Sequence, residues 1–199
     1  VHINLVTTSS RNHSVQELPS CKQMKLFTDK DDLPQLPSNG RTGIFIGSHV
    51  RFTETETKCI ETFCEMYDAV VFCDHTSNYY GKYKIQYALM GAQESWWSSC
   101  SQLSLLIYIG EVSGDYDTLC TLIPSKTWRV SPDGEFRAPT LGQLAAVFAL
   151  NELSFFQQYT QGKNITQCNY YKECAEEYHK LLDAFPVVPL SNIYVAKKV

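Results

Sequence analysis

Residues Ser101 to Tyr116 read SQLSLLIYIGEVSGDY, an apolar run that meets Gly110 and then a polar turn. Leu103 to Ile109 shows no clean apolar/polar alternation. A strand that is apolar on both faces belongs in a parallel sheet covered by helices on each side, since an antiparallel strand with one wet face would alternate. Loops at the carboxyl ends of such strands line the ligand crevice. The segment therefore specifies a fold class and a place for chemistry without specifying a reaction.

The rest of the chain repeats that signal. Thr42–Gly47 and Ala69–Cys73 read as buried strands, and Thr127–Val130 as a short one, followed by the turn residues Pro132-Asp133-Gly134. Between the first two, Glu54–Tyr67 places Cys59, Ile60, Phe63, Met66 and Tyr67 at helical spacing, with Thr53 or Thr55 as the cap. Gln23–Phe27 suits a strand, Tyr83–Ala92 a helix, and Thr118–Leu122 the end of a helix before Pro124. From Thr140 the pattern is read as helical: Leu141–Leu150, Leu153–Tyr159 and Asn169–Phe185. Strands and helices alternating at these intervals predict right-handed βαβ crossovers.

With 199 residues the chain is long enough for one α/β domain that needs no disulfide or metal staple. A net charge of −4 offers no basic stripe for nucleic acid, and no run of about 18 apolar residues suggests a membrane span. The eight cysteines form no C-x-x-C and no zinc spacing, so buried free thiols are expected. Asn12-His13-Ser14 and Asn164-Ile165-Thr166 match the glycosylation pattern, a match common by chance. Both ends suggest excision from a longer protein. The start opens on Val1-His2-Ile3-Asn4-Leu5 without a leader, and Leu190–Val199 looks like a helix cut soon after it begins.

Three loops hold the candidate site residues. Gly47-Ser48-His49 follows a strand and precedes a helix, where backbone N–H groups can hold an anion, although neither G-x-G-x-x-G nor a Walker loop is present. A plain strand-to-helix turn is the favoured reading. Asp74 to Lys82 gathers His75, Asn78, Tyr79, Tyr80 and Lys82. Tyr79, Tyr80 and Tyr83 suit stacking on a planar ligand, with Lys82 or Lys84 meeting a carboxylate or phosphate; an interdomain contact explains the same residues. Glu111-Val112-Ser113-Gly114-Asp115 brings two acids close together, either for acid–base or metal chemistry or as a solvated loop. No G-x-S-x-G elbow or triad spacing exists, so the residues do not describe a complete enzyme.

The ordered set of segments resembles the central domain of thiamine-diphosphate-dependent enzymes of the decarboxylase and synthase group. Val1-His2-Ile3-Asn4-Leu5 looks like the strand leaving the pyrimidine-binding domain. Thr42–Gly47 with Ala69–Asp74 looks like the first two strands of the central sheet, and Leu103–Gly110 like a strand that in many members reads D-L-V-L-x-I-G. Gly110-Glu111 and Trp128 to Glu135 are similar to the branch around 2-succinyl-5-enolpyruvyl-6-hydroxy-3-cyclohexene-1-carboxylate synthase, of menaquinone biosynthesis. The likeness implies a cytoplasmic, homo-oligomeric parent that binds thiamine diphosphate and Mg²⁺ through its pyrimidine-binding and diphosphate-binding domains, the latter with a G-D-G…N motif. That motif is missing here, because Gly114-Asp115-Tyr116 and Asp133-Gly134-Glu135 do not fit it. The expected fold is α/β, one Rossmann-like three-layer domain with a parallel sheet of about six strands. Residues 1–40 would be a connector, 41–185 the central domain and 186–199 the start of the next. The fragment is expected to be inactive alone, with no catalytic, cofactor-binding or metal residues of its own. Gly47, Ser48, His49, Asp74, His75, Asn78, Lys82, Gly110, Glu111, Ser113 and Arg129 would be ligand or interdomain contacts. A free-standing nucleotide-binding module remains the alternative. A glycosyltransferase-like enzyme would need Asp74 or Glu111 as its catalytic base or metal-binding acid.

Overall fold

The computed structural model describes residues 24–91, 98–111, 121–135, 144–161 and 168–184. The chain start, both glycosylation patterns, Cys21, Cys120, Ser113, Asp115 and the residues from 185 onward lie outside these.

Seven strands form one sheet in which every pairing is parallel. They are β1 (Lys25–Phe27), β2 (Thr42–Ile46), β3 (Ala69–Cys73), β4 (Lys84–Gln86), β6 (Leu105–Ile109), β8 (Thr127–Val130) and β9 (Leu144–Phe148). The order is β1-β9-β8-β6-β2-β3-β4. The chain runs outward from β2 to β4, then returns to the other side of β2 and continues through β6, β8 and β9. That reversal between β2 and β6 is the topological switch point of a Rossmann-like sheet. Strand β1, within the segment read as a connector, forms one edge of this sheet. The short strands β5 (Gln102–Leu103) and β7 (Ile123–Pro124) pair separately.

Helices cover both faces, and the strands divide their side chains between them. Ile44, Ile46, Val71, Cys73, Leu105, Ile107 and Ile109 pack with Ile60 and Phe63 of α1 (Glu54–Tyr67) and Phe155 and Phe156 of α3 (Glu152–Tyr159). The intervening Phe45, Val70, Phe72, Leu106 and Tyr108 pack with Tyr87 and Met90 of α2 (Tyr87–Gly91) and Tyr170, Cys174 and Leu181 of α4 (Asn169–Ala184). Burying each such side chain stabilises by roughly 1.5–3 kcal/mol, which is why the strands read as unbroken apolar runs. Thr53 caps α1 in a capping box: its side chain accepts from the Glu56 N–H, and the Glu56 carboxylate accepts from the Thr53 N–H.

Three expectations are corrected. Leu144–Phe148, within the stretch read as a helix, is a strand between β1 and β8; its Leu-Ala-Ala composition favours a helix, but the slot between two strands overrides that propensity. Tyr83–Ala92 divides into β4 and the short α2, because Lys84–Gln86 completes the sheet edge. The opening run is broken too. Ser99–Ser101 forms a 3-10 turn, Gln102–Leu103 pairs with β7, and Leu105–Ile109 alone belongs to the main sheet. Thr121 and Leu122 stand outside any helix, and the rest of that segment lies outside the described residues.

Candidate functional site

The carboxyl ends of β2, β6 and β8 meet at the switch point, where the two loops are stitched together by their own backbones. The Ser48 N–H donates to the Glu111 carbonyl at 2.9 Å and the Glu111 N–H to the Ser48 carbonyl at 2.8 Å, while the Gly47 N–H reaches the Ile109 carbonyl at 2.9 Å. Glycine is required at 47 because a Cβ there would stand 2.1 Å from the Glu111 carbonyl oxygen. Gly110 turns the chain at φ +78°, a conformation glycine adopts without strain.

Beside this stitch lies a concavity of about 560 Å³ lined by Ser48, His49, Gly110, Glu111, Arg129, Ser131, Asp133, Glu56 and Glu152. Arg129 comes from β8 on the face that carries Tyr108, and its guanidinium lies 4.7 Å from the centre of that ring. It is 1% exposed. It donates to the Gly110 carbonyl and stands 3.7 Å from the Glu111 carboxylate, which is 59% exposed. Its Nε has no partner among the described residues. Burial lowers the pKa of this group, against the opposing pull of Tyr108 and the Glu111 carboxylate.

His49 stacks on Phe52 at 4.2 Å and faces Glu152 at 3.4 Å. Burial alone would lower the His49 pKa, but the hydrogen bond to Glu152 and that to the Val50 carbonyl raise it above the usual value. Burial likewise pushes Glu152 up, but the bond from His49, a backbone hydrogen bond and the charges of His49 and Arg129 together outweigh it, leaving it low. Each group therefore favours the charged form of the other.

Gly47, Ser48, His49, Gly110, Glu111 and Arg129 are therefore brought together. Asn78 adjoins them, its side-chain amide donating to the His49 carbonyl at 2.7 Å. One oxygen of Asp74 holds its own turn, accepting from the Thr76 N–H at 2.7 Å and the Thr76 hydroxyl at 2.8 Å, while the other is buried without a hydrogen-bond partner among the described residues. His75 is exposed beside it. Lys82 is placed elsewhere: it precedes β4 at the amino end of the sheet, where its N–H donates to Glu61 and its ammonium lies 3.4 Å from Glu65. The stacking trio is corrected as well. Tyr79 and Tyr83 are buried in the core, Tyr79 edge-on to Phe52 at 5.5 Å, and only Tyr80 is exposed, flanked by Arg51 and Lys84. Ser113 lies outside the described residues.

Sequence reasoning missed Glu56 and Glu152, both in the first turn of a helix that starts at the carboxyl edge of the sheet. The available signals were the capping patterns Thr53-x-x-Glu56 and Asn151-Glu152. With them the rim holds Glu56, Glu111, Asp133 and Glu152 against Arg129 and His49, an acidic balance poorly suited to a free anion. Among the described residues no three His, Cys, Asp or Glu side chains gather as metal ligands, and no helix is long and apolar enough to cross a membrane. The described residues at this rim do not fit a diphosphate–Mg²⁺ site. The chain matches no protein-family model and no curated protein sequence.

Proposed function

We propose that this chain is the central, scaffolding domain of a thiamine-diphosphate-dependent synthase or decarboxylase, similar to the 2-succinyl-5-enolpyruvyl-6-hydroxy-3-cyclohexene-1-carboxylate synthase branch. The observation that carries the reading is the self-closed switch point. In a nucleotide-binding sheet, the first loop and helix start are open to a pyrophosphate. Here the loop is hydrogen-bonded to its neighbour, and the α1 amino end is satisfied by its own capping box and carries Glu54 and Glu56. A Rossmann-like sheet whose first loop is tied to its neighbour in this way suits a spacer between domains. The ordered sequence likeness supplies the family. The cofactor's carbanion chemistry would belong to the flanking pyrimidine-binding and diphosphate-binding domains of a homo-oligomeric parent.

Calorimetry on the chain, paired with an assay of the parent protein, tests this. The chain should give no heat with thiamine diphosphate and Mg²⁺, nor with FAD, NAD or ADP. The parent should decarboxylate a 2-oxo acid only when thiamine diphosphate and Mg²⁺ are added. Saturable heat from FAD, NAD or ADP on the chain would replace the reading with a nucleotide-binding module. Cofactor-independent turnover by the parent would overturn the family assignment.

A further inference from the structure

At the amino end of the sheet, away from the switch point, lies a second concavity of about 960 Å³. Its walls are the extended segment 33–38, the last residues of α1 (Met66 and Tyr67) and the last residues of α3 (Gln158 and Tyr159). These walls are tied to one another. The Tyr159 hydroxyl donates to the Pro34 carbonyl at 2.8 Å, and the Tyr67 hydroxyl to the Tyr159 carbonyl at 2.9 Å. The carboxyl ends of two helices thus face one cavity, each with roughly half a negative charge. Neither helix has a basic residue in its last turn. Asp68, the C-cap of α1, adds a half-buried carboxylate to the lining. One of its oxygens accepts from the Tyr170 N–H at 2.9 Å, and among the described residues no Lys, Arg or His pairs with it. The amino end of α4, which supplies that N–H, brings about half a positive charge, less than the two helix ends and the full carboxylate together. Among the described residues lining the cavity there is no Lys, Arg or His. Arg41, just beyond the segment, is engaged with Glu173 and the Ser99 carbonyl. Of the carbonyls in 33–38, Pro34 alone has a hydrogen-bond donor among the described residues.

We propose that this cavity binds an organic cation through a primary ammonium group seated at the Asp68 carboxylate. An ammonium brings three donors and no acceptor, and it meets a carboxylate, helix-end carbonyls and the carbonyls of the extended segment. Its methylenes would lie along Leu33 and Leu36, which also line the cavity. The other ligand classes fit less well. A phosphate or carboxylate would enter a field of its own sign. A neutral ligand would leave the Asp68 charge without a counter-ion. A metal ion lacks a ligand set, since no three His, Cys, Asp or Glu side chains gather among the described residues. The cavity's volume is within the range of roughly 300–1,000 Å³ typical of small-molecule sites. This inference does not depend on the thiamine-diphosphate reading.

Calorimetry of the chain with putrescine tests it. Binding should be saturable and should weaken as salt is raised, while 1,4-butanediol, of the same length without the charge, should give no heat. Asp68→Asn keeps an acceptor for the Tyr170 N–H and a residue type that tolerates the left-handed backbone at this position (φ 48°). It should keep the native circular dichroism and bind putrescine about tenfold more weakly. Gln158→Lys, at an exposed position in the last turn of α3, supplies a resident ammonium. It should raise the melting temperature slightly and abolish putrescine binding. A parallel titration with acetyl-lysine amide identifies the source: tighter binding of putrescine points to a free amine, and tighter binding of the lysine derivative to a side chain of a neighbouring chain, both through the same ammonium group. The proposal is overturned if the native chain gives no saturable heat with putrescine, or if butanediol or potassium chloride at matched ionic strength gives the same heat. It is equally overturned if Gln158→Lys binds putrescine as the native chain does, whether or not Asp68→Asn folds.

Discussion

Arg129 and Arg41 each tie a loop to a neighbouring element, and the two ties are built in opposite ways. Arg41 reaches Glu173 at 2.5 Å and the Ser99 carbonyl, but its side chain and that of Glu173 are 32% and 53% exposed. Arg129 stands a longer 3.7 Å from its carboxylate, yet is buried against Tyr108 and donates to the Gly110 carbonyl. The shorter ion pair is the weaker tie. Water screens the exposed pair and competes for both partners, whereas the Arg129 guanidinium is buried against Tyr108 and its bond to the half-buried Gly110 carbonyl is screened less. Burial, more than distance, decides what each arginine holds.

The comparison can be broken most forcefully from the loop after β2. Gly47→Ala puts a methyl group against the Glu111 carbonyl, separating the loop that Arg129 braces. It should cost about 3 kcal/mol, measured by urea denaturation. An effect below about 1 kcal/mol would mean that the stitch yields freely and that Arg129 braces little. The arginines themselves come next. Arg129→Met should cost about 2 kcal/mol and change little with salt, while Arg41→Met should cost under about 0.5 kcal/mol, a loss that vanishes at high salt. Equal losses would remove the distinction between the two ties.

The smallest effect sharpens the picture of the crevice. His49, with its pKa raised, contributes stability fully below its ordinary value of 6.5 and loses it as pH rises through the folded value. Glu152, with its pKa lowered, contributes above its ordinary 4.5 and loses this as pH falls through its folded value. Their pairing is therefore strongest between those two ordinary values. Glu152→Gln should destabilise by about 0.5 kcal/mol more near pH 5.5 than near pH 8.5, since any loss from the α3 amino end is common to both. Equal destabilisation in thermal melts at the two pH values would show that the pair carries no charge.

Legibility followed burial and local chemistry. β2, α1 and β3 were readable because two-faced burial writes an unbroken apolar run and the capping box at Thr53 writes a helix start. β9 was not. Ala145 and Ala146 give no β signal, and Ala145 falls where the register with β8 shifts, passing from Thr127 opposite Leu144 to Trp128 opposite Ala146. β4 is three residues long, too short to show a period. At the site, the loops after β2 and β6 and the cation on β8 could be named from their place after apolar runs. That Lys82 sits at the far end of the sheet could not, because the loop from Asp74 travels the length of β3 before β4 begins.

The pairing of β1 with β9 sets an order of assembly. Lys25 lies opposite Ala146, 121 residues later in the chain. During synthesis β1 emerges long before its sheet neighbour among the described residues exists, and Met24 and Leu26, half exposed even in the folded chain, must stay in water until then. The sheet can grow outward from β2, β3 and β6, but its last edge closes only after nearly the whole domain has been translated. Such distant pairings fold slowly and leave an open strand for other nascent chains to capture, so β1 is where a chaperone has most to protect.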